Sequence, residues 1–205
     1  KDTFEIVNAS IDREETFSGF NPDGMVMLTN RYDLKMKHFD VHQRGVYGDL
    51  DDELLDFGNV NSKLNESSYS VSPDGNKLVV SIEDPKGFGG YDLFICKKLP
   101  NGKWSLPFNL GQYINTTGDE KNPHFAADGK TMYFSSNGLL GMGGYDIFYA
   151  HWAEDEGRFS APMNLGFPIN SPYDEIHISI SDRDSGIMTT NRPGGAGGFD
   201  LFRIW

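Results

Sequence analysis

Two acidic pairs, Asp119-Glu120 and Asp174-Glu175, are the side chains in this 205-residue chain whose types and spacing could do chemistry. Paired carboxylates can share the acid and base roles of glycoside hydrolysis. Clustered with amide oxygens, they can instead hold a hard cation or a hydroxyl-rich ligand. Asn137, Asn191 and Arg192 are the polar residues that fall in with them. His124 and His177 follow Glu120 and Glu175 by four and two residues. No His-Glu-x-x-His or comparable metal spacing surrounds them, and no Ser-His-Asp grouping stands out. Neither a catalytic set nor a metal set is expected, and nothing calls for a cofactor. Cys96 is the single cysteine. It cannot form an internal disulfide, lacks a Cys-His signature, and reads as a small buried hydrophobe.

The acidic residues belong to a repeat. Gly87-Phe88-Gly89-Gly90-Tyr91-Asp92-Leu93-Phe94 returns as Gly141–Phe148 and again as Gly195–Phe202, so Asp92, Asp146 and Asp200 stand 54 residues apart each time. Asp74-Gly75 recurs as Asp128-Gly129, and Pro107–Gly111 recurs as Pro162–Gly166. Ile114-Asn115 recurs as Ile169-Asn170, with Val60-Asn61 as the earlier copy. Glu15, Glu66, Glu120 and Glu175 occupy one point of the cycle. The first unit is worn: Phe39-Asp40-Val41 fills the Tyr-Asp-Leu slot, with Lys35–His38 where the glycines should be.

Each unit reads as four strands, as in Pro123–Ala126, Thr131–Ser136, Tyr145–Trp152 and Arg158–Leu165, separated by Asp-Gly and glycine-rich turns. No helical stripe of useful length competes. About 50 residues and four strands per unit is the size of a β-propeller blade. The expectation is an all-β chain forming one propeller domain over residues 1–205, with four recognisable blades near 9–60, 61–114, 115–169 and 170–205. The last unit stops after its third strand at Phe202-Arg203-Ile204-Trp205. Residues 3–8, with Phe4–Asn8 loosely matching the Asn-Leu-Gly-x-x-Ile-Asn ending, are expected to supply its outermost strand and close the ring.

In that geometry the loops carrying Glu15, Glu66, Asp119, Glu120, Asp174 and Glu175 share one rim with the glycine loops and with Asn30, Asn137, Asn191 and Arg192. Two readings follow. The rim could surround an axial pocket for a cation or glycan, or its carboxylates could stitch blade to blade by accepting backbone N–H groups. Repetition at every unit favours stitching. Asp92, Asp146 and Asp200 are expected to cap loop donors. The glycines are expected to allow positive φ and close approach. They mimic a phosphate-binding Gly-x-Gly-x-x-Gly, but no helix follows.

Net charge is −12 with a pI near 4.7, which argues against binding through phosphate neutralisation and disfavours anionic membranes. Apolar runs such as Leu78–Ile82 are strand-sized, far short of a spanning helix. Without a leader or lipobox, a mature or excised domain is expected.

The motifs Ser-Pro-Asp-Gly-x-x-Leu, Gly-x-Gly-Gly-(Tyr/Phe)-Asp-(Leu/Ile)-Phe and Trp-Ser-x-Pro-x-Asn-Leu-Gly-x-x-Ile-Asn together resemble the WD40-like "PD" propeller repeat. That repeat occurs in the C-terminal half of TolB and in OmpA-type cell-envelope proteins of Bacteroidetes, and the form here is closer to the second group. The resemblance covers residues 61–205 strongly and 1–60 weakly. It implies a non-catalytic interaction or scaffold propeller in a bacterial envelope, periplasmic or outer-membrane-associated, as in a secretion or assembly complex. Its partners would be other envelope proteins, with glycan or peptidoglycan contacts left to domains outside this chain. Nucleic acid and direct membrane insertion are not expected. The alternative is a glycan-binding or glycan-cleaving propeller using the acidic rim with Tyr113, Tyr173 and Trp152.

Overall fold

The computed structural model describes residues 15–20, 26–33, 38–45, 53–54, 60–180, 186–195 and 197–204, with side chains from residue 60 onward. Every regular element among them is a strand, and each repeat folds into its own antiparallel sheet. The first sheet runs β1 (Glu15–Phe20), β2 (Val26–Asp33), β3 (His38–Gly45), β4 (Glu53–Leu54). The second runs β5 (Asn65–Val71), β6 (Lys77–Glu83), β7 (Asp92–Lys97), β8 (Phe108–Asn109). In the third, β9 (Glu120–Phe125), β10 (Thr131–Ser136) and β11 (Asp146–Ala153) are joined by β12 (Arg158–Phe159) and β13 (Met163–Asn164), both pairing with β11. The fourth holds β14 (Glu175–Ile180), β15 (Gly186–Thr190) and β16 (Asp200–Ile204). The expected closing strand at residues 3–8, the glycine-less loop at Lys35–Lys37 and most of the Asp182–Gly186 turn lie outside the described residues.

Successive sheets stack through their first strands. β5 packs on β1, β2 and β3, β9 packs on β5, β6 and β7, and β14 packs on β9, β10 and β11. A sheet covered on both faces needs apolar residues at consecutive positions, not at alternate ones. Strand β6 shows this: Leu78 and Val80 enter the core with Tyr69, Phe94 and Cys96, while Val79 enters the core shared with Phe125, Met132 and Phe134. Ile147, on the other face of β11 from Phe148, packs with Ile178 and Met188 of the fourth sheet. Cys96 is fully buried among apolar neighbours, and burial pushes its thiol up to about 12, as a packing residue requires.

The outer strand departs from the expected continuous run. Trp104 and Phe159 bridge the third strands at Lys98 and Trp152, and Phe108-Asn109 and Met163-Asn164 pair further along. Between these contacts, Pro107 and Pro162 lack the N–H a ladder needs. Ser105 Oγ accepts from Lys97 N at 3.0 Å and Ser160 Oγ from His151 N at 3.1 Å, keeping those donors paired beside the break.

The loop glycines also behave differently from expectation. None of Gly87, Gly89, Gly90, Gly141, Gly143 and Gly144 has positive φ. They serve close approach alone. A Cβ on Gly89 would strike the carbonyl oxygens of Gly118 and Thr116, and one on Gly143 those of Tyr173 and Ser171. Gly89→Ala and Gly143→Ala should therefore each lower the urea unfolding midpoint, with losses of roughly 1–3 kcal/mol from forced backbone shifts. Unchanged midpoints would show that the loops separate without cost.

Candidate functional site

The rim is built by a connector that leaves one sheet and enters the next. Gly111 and Gly166, at φ +81° and +66°, turn the chain, and Asn109 Oδ1 and Asn164 Oδ1 cap their amides at 2.8 and 2.7 Å. Asn115 then grips the sheet behind: its Oδ1 accepts from Leu93 N at 2.8 Å and its Nδ2 donates to Leu93 O at 3.0 Å. Asn170 does the same to Ile147, at 2.8 Å for both bonds. An asparagine side chain thus replaces one residue of a β-ladder.

The following residue faces the sheet ahead. Glu120 is fully buried, and its carboxylate accepts from Thr116 N at 2.8 Å, Thr116 Oγ1 at 2.7 Å and Ser136 Oγ at 2.6 Å. Glu175, equally buried, accepts from Ser171 N at 2.9 Å, Ser171 Oγ at 2.6 Å and Thr190 Oγ1 at 2.9 Å. Glu66 accepts from Ser62 N and Ser62 Oγ at 3.1 and 2.6 Å. The expected stitching partner was the backbone of the neighbouring blade. The glutamates instead clamp their own connector, four residues upstream.

The stitch to the neighbouring sheet comes from the aspartates and from the glutamate backbone. Asp119 Oδ1 accepts from Tyr91 N at 3.0 Å, while Glu120 N donates to Tyr91 O at 2.7 Å. Asp174 Oδ1 and Glu175 N repeat the pair on Tyr145, at 2.9 and 2.7 Å. Asp119 Oδ2 also accepts from Tyr145 Oη at 2.7 Å and from Lys121 Nζ at 2.9 Å, and that ammonium lies 4.0 Å from the Tyr91 ring centroid. Asn137 Oδ1 accepts from Asp119 N at 2.7 Å, and Asn191 Oδ1 from Asp174 N at 2.8 Å.

Arg192 stands where Gly138 stands one unit earlier. Its guanidinium donates to Pro168 O at 3.1 Å, Ile169 O at 2.5 Å and Glu175 Oε1 at 2.8 Å. All seven residues expected at a binding rim are thus engaged within the chain. Asp92 and Asp146 are loop caps as expected. Asp92 Oδ2 accepts from Phe88 N at 2.8 Å, and Asp146 Oδ2 from Gly143 N at 3.1 Å. Sequence reasoning noticed the recurring Asn115 and Asn170 but gave them no task, and passed over Ser62, Thr116 and Ser171. The signal was present in the constant Asn-(Ser/Thr)-x-x-x-Glu spacing.

The charges follow from these partners. Burial, the largest influence, lifts the Glu120 carboxyl above its ordinary value despite the donors from Ser136 and Thr116. Burial acts on Asp119 in the same sense, but hydrogen bonds from Tyr145, Lys121 and the Tyr91 amide outweigh it and hold the group below its ordinary range. Glu175 has the Arg192 guanidinium beside it.

His124 and His177, expected at different depths on their own strands, meet across two sheets with ring centroids 6.2 Å apart and edge to face. The strands carry different bulges, so His124 pairs with Tyr133 while His177 pairs with Thr189. Burial and the neighbouring His177 push His124 down to about 4, and burial pushes His177 down as well. Among the described residues no group of three or more His, Cys, Asp or Glu side chains has metal-binding geometry.

No protein-family model and no curated protein matches the chain. Solved structures do. TolB from Acinetobacter baumannii superposes with a TM-score of 0.57 at 15% identity over 93% of this chain and 41% of that one. The fold is propeller-like. A putative TolB from Agrobacterium tumefaciens gives 0.49 at 16% identity, covering 87% and 70% of the two chains. The Hadza microbial sialidase Hz136 gives 0.48 at 11%, covering 93% and 43%. The chain thus spans about two fifths of the length of the Acinetobacter TolB.

Two outcomes follow for the rim. Glu120→Gln places an amide NH2 against donors that are already committed, and should cost about 1–3 kcal/mol in urea unfolding, unrelieved by calcium. A neutral substitution, or a wild type strongly stabilised by calcium, would contradict the clamp. For His124, the folded state favours the neutral ring, so its contribution is whole above pH 6.5 and is lost as pH falls toward about 4. Stability should decline across that window by up to roughly 3 kcal/mol, and His124→Gln should flatten the decline.

Proposed function

We propose that this chain is a four-bladed, non-catalytic protein-interaction propeller acting as a scaffold in a bacterial cell envelope. The observation that carries the reading is the internal hydrogen bonding of the polar rim. Asp119, Glu120, Asp174, Glu175, Asn137, Asn191 and Arg192 each bond to connectors or neighbouring sheets. A glycan-cleaving site would need carboxylates free to exchange protons with substrate.

The side chains this rim presents outward include Phe88 and Met142 in the glycine loops, Leu140 beside them, and Tyr113, Phe167 and Tyr173 in the connectors. Exposed apolar and aromatic residues on a rigid frame suit contact with another protein. The "PD" repeat motifs and the TolB-like fold support the envelope setting, with other envelope proteins as partners. Association with the periplasm or outer membrane is part of the same reading.

Two measurements test it. Fluorogenic glycosides, sialosides and prolyl peptides should show no turnover above buffer; hydrolysis abolished by a rim substitution would overturn the reading. Leu140→Asp with Phe167→Asp should leave the melting temperature unchanged while reducing site-specific cross-linking to envelope proteins in the cell. Cross-linking that persists through both substitutions would remove the rim as the contact surface.

A further inference from the structure

His124 and His177 are two imidazoles that neither the rim nor the apolar cores put to use. They stand on the first strands of adjacent sheets, β9 and β14, with ring centroids 6.2 Å apart and planes at 70°. Both residues are part-buried. Among the described residues neither ring has a hydrogen-bond partner, whereas His151 Nδ1 meets Thr131 Oγ1 at 3.0 Å. The local backbone is bent to bring the two rings together. In β9 the register slips between Lys121 and His124, and in β14 between Glu175 and His177. Asn122, inside the first slip, is the one non-glycine residue with positive φ among those described, at +52°. Its Nδ2 donates to Ile176 O at 2.5 Å, and its amide donates to Ser68 Oγ at 2.9 Å. One side chain thus fastens the bulge before His124 to the bulge before His177. Bulges re-aim the side chains that follow them, and left-handed non-glycine residues cluster where geometry has a task.

We propose that His124 and His177 form a two-histidine site for one divalent late first-row transition metal ion of the zinc, copper or nickel type. Imidazole nitrogen suits these ions, whereas calcium and magnesium ask for oxygen ligands. The distances allow it. An ion about 2.0–2.1 Å from one nitrogen of each ring keeps the two centroids within about 6.4 Å of each other. The observed separation of 6.2 Å lies inside that limit. Rotation about the side-chain torsions then turns one nitrogen of each ring to the ion. No third His, Cys, Asp or Glu among the described residues joins them, so water fills the remaining positions, as at an open zinc site. Bound there, the ion ties β9 to β14 and so the third sheet to the fourth. The inference does not rest on the envelope reading.

Zinc titrated into the tag-free full chain, stripped of metal beforehand, tests the site. One ion should bind per chain, and zinc at tenfold its dissociation constant should raise the melting temperature by roughly 3–6 °C. Calcium and magnesium should leave it unchanged. His124→Gln and His177→Gln should each remove the thermal shift. Each should also weaken zinc binding by more than the roughly tenfold that losing an outer-shell partner costs. His151→Gln should keep both properties. Zinc binding that survives either substitution, a wild type that zinc does not stabilise, or an equal shift with calcium overturns the proposal. If a glutamine variant fails to fold, nitrogen-15 spectra of the wild-type histidine rings still decide. Zinc should move the ring nitrogens of His124 and His177, identified by their contact with each other. Shifts confined to other histidines, or none, overturn the site.

Discussion

Everything in this molecule hangs on a short connector that faces two sheets at once. An asparagine pairs with the backbone of the sheet behind, and the serine or threonine after it locks to a buried glutamate of the sheet ahead. A buried carboxylate is tolerable only with its acceptor sites filled. The hydroxyl and amide of the connector fill them, so the linker cannot drift while the sheet is folded. Chain direction, sheet spacing and loop position all descend from that arrangement.

The glycine loops are its consequence. Once the connector is pinned, its carbonyls lie where side chains of the preceding loop would stand, and glycine alone leaves room. The aspartate at the foot of each loop gathers the backbone donors released by the turn. Packing density explains why so tight a contact recurs in successive units: interiors lose dispersion energy steeply when sheets separate. The same logic accounts for apolar residues at consecutive positions in β6, which belongs to two cores.

A rim assembled this way is held by its own hydrogen bonds. The residues that look most reactive in composition are the ones most deeply committed to structure, and the carboxylate elevated by burial is held among hydroxyl donors. Exposed apolar and aromatic side chains such as Phe88, Tyr113, Leu140 and Phe167 stand among exposed polar ones on the same loops.

The repeat, its strands and its Asp-Gly turns were legible in the sequence, because hairpin chemistry and apolar patterning act over a few residues. Thr131–Ser136 as a strand and Asp92 as a cap needed nothing more. Tertiary structure decided where the glutamates point, since Glu120 could reach either a neighbouring backbone or its own connector, and linear spacing does not distinguish them. It decided that the outer strand breaks at Pro107 and Pro162, where a ladder donor is missing. It decided that Arg192 closes on Glu175 and the connector carbonyls, and that His124 meets His177 across strands with different bulges. Local propensity belongs to the chain, whereas the partner of a buried polar group belongs to the packing that surrounds it.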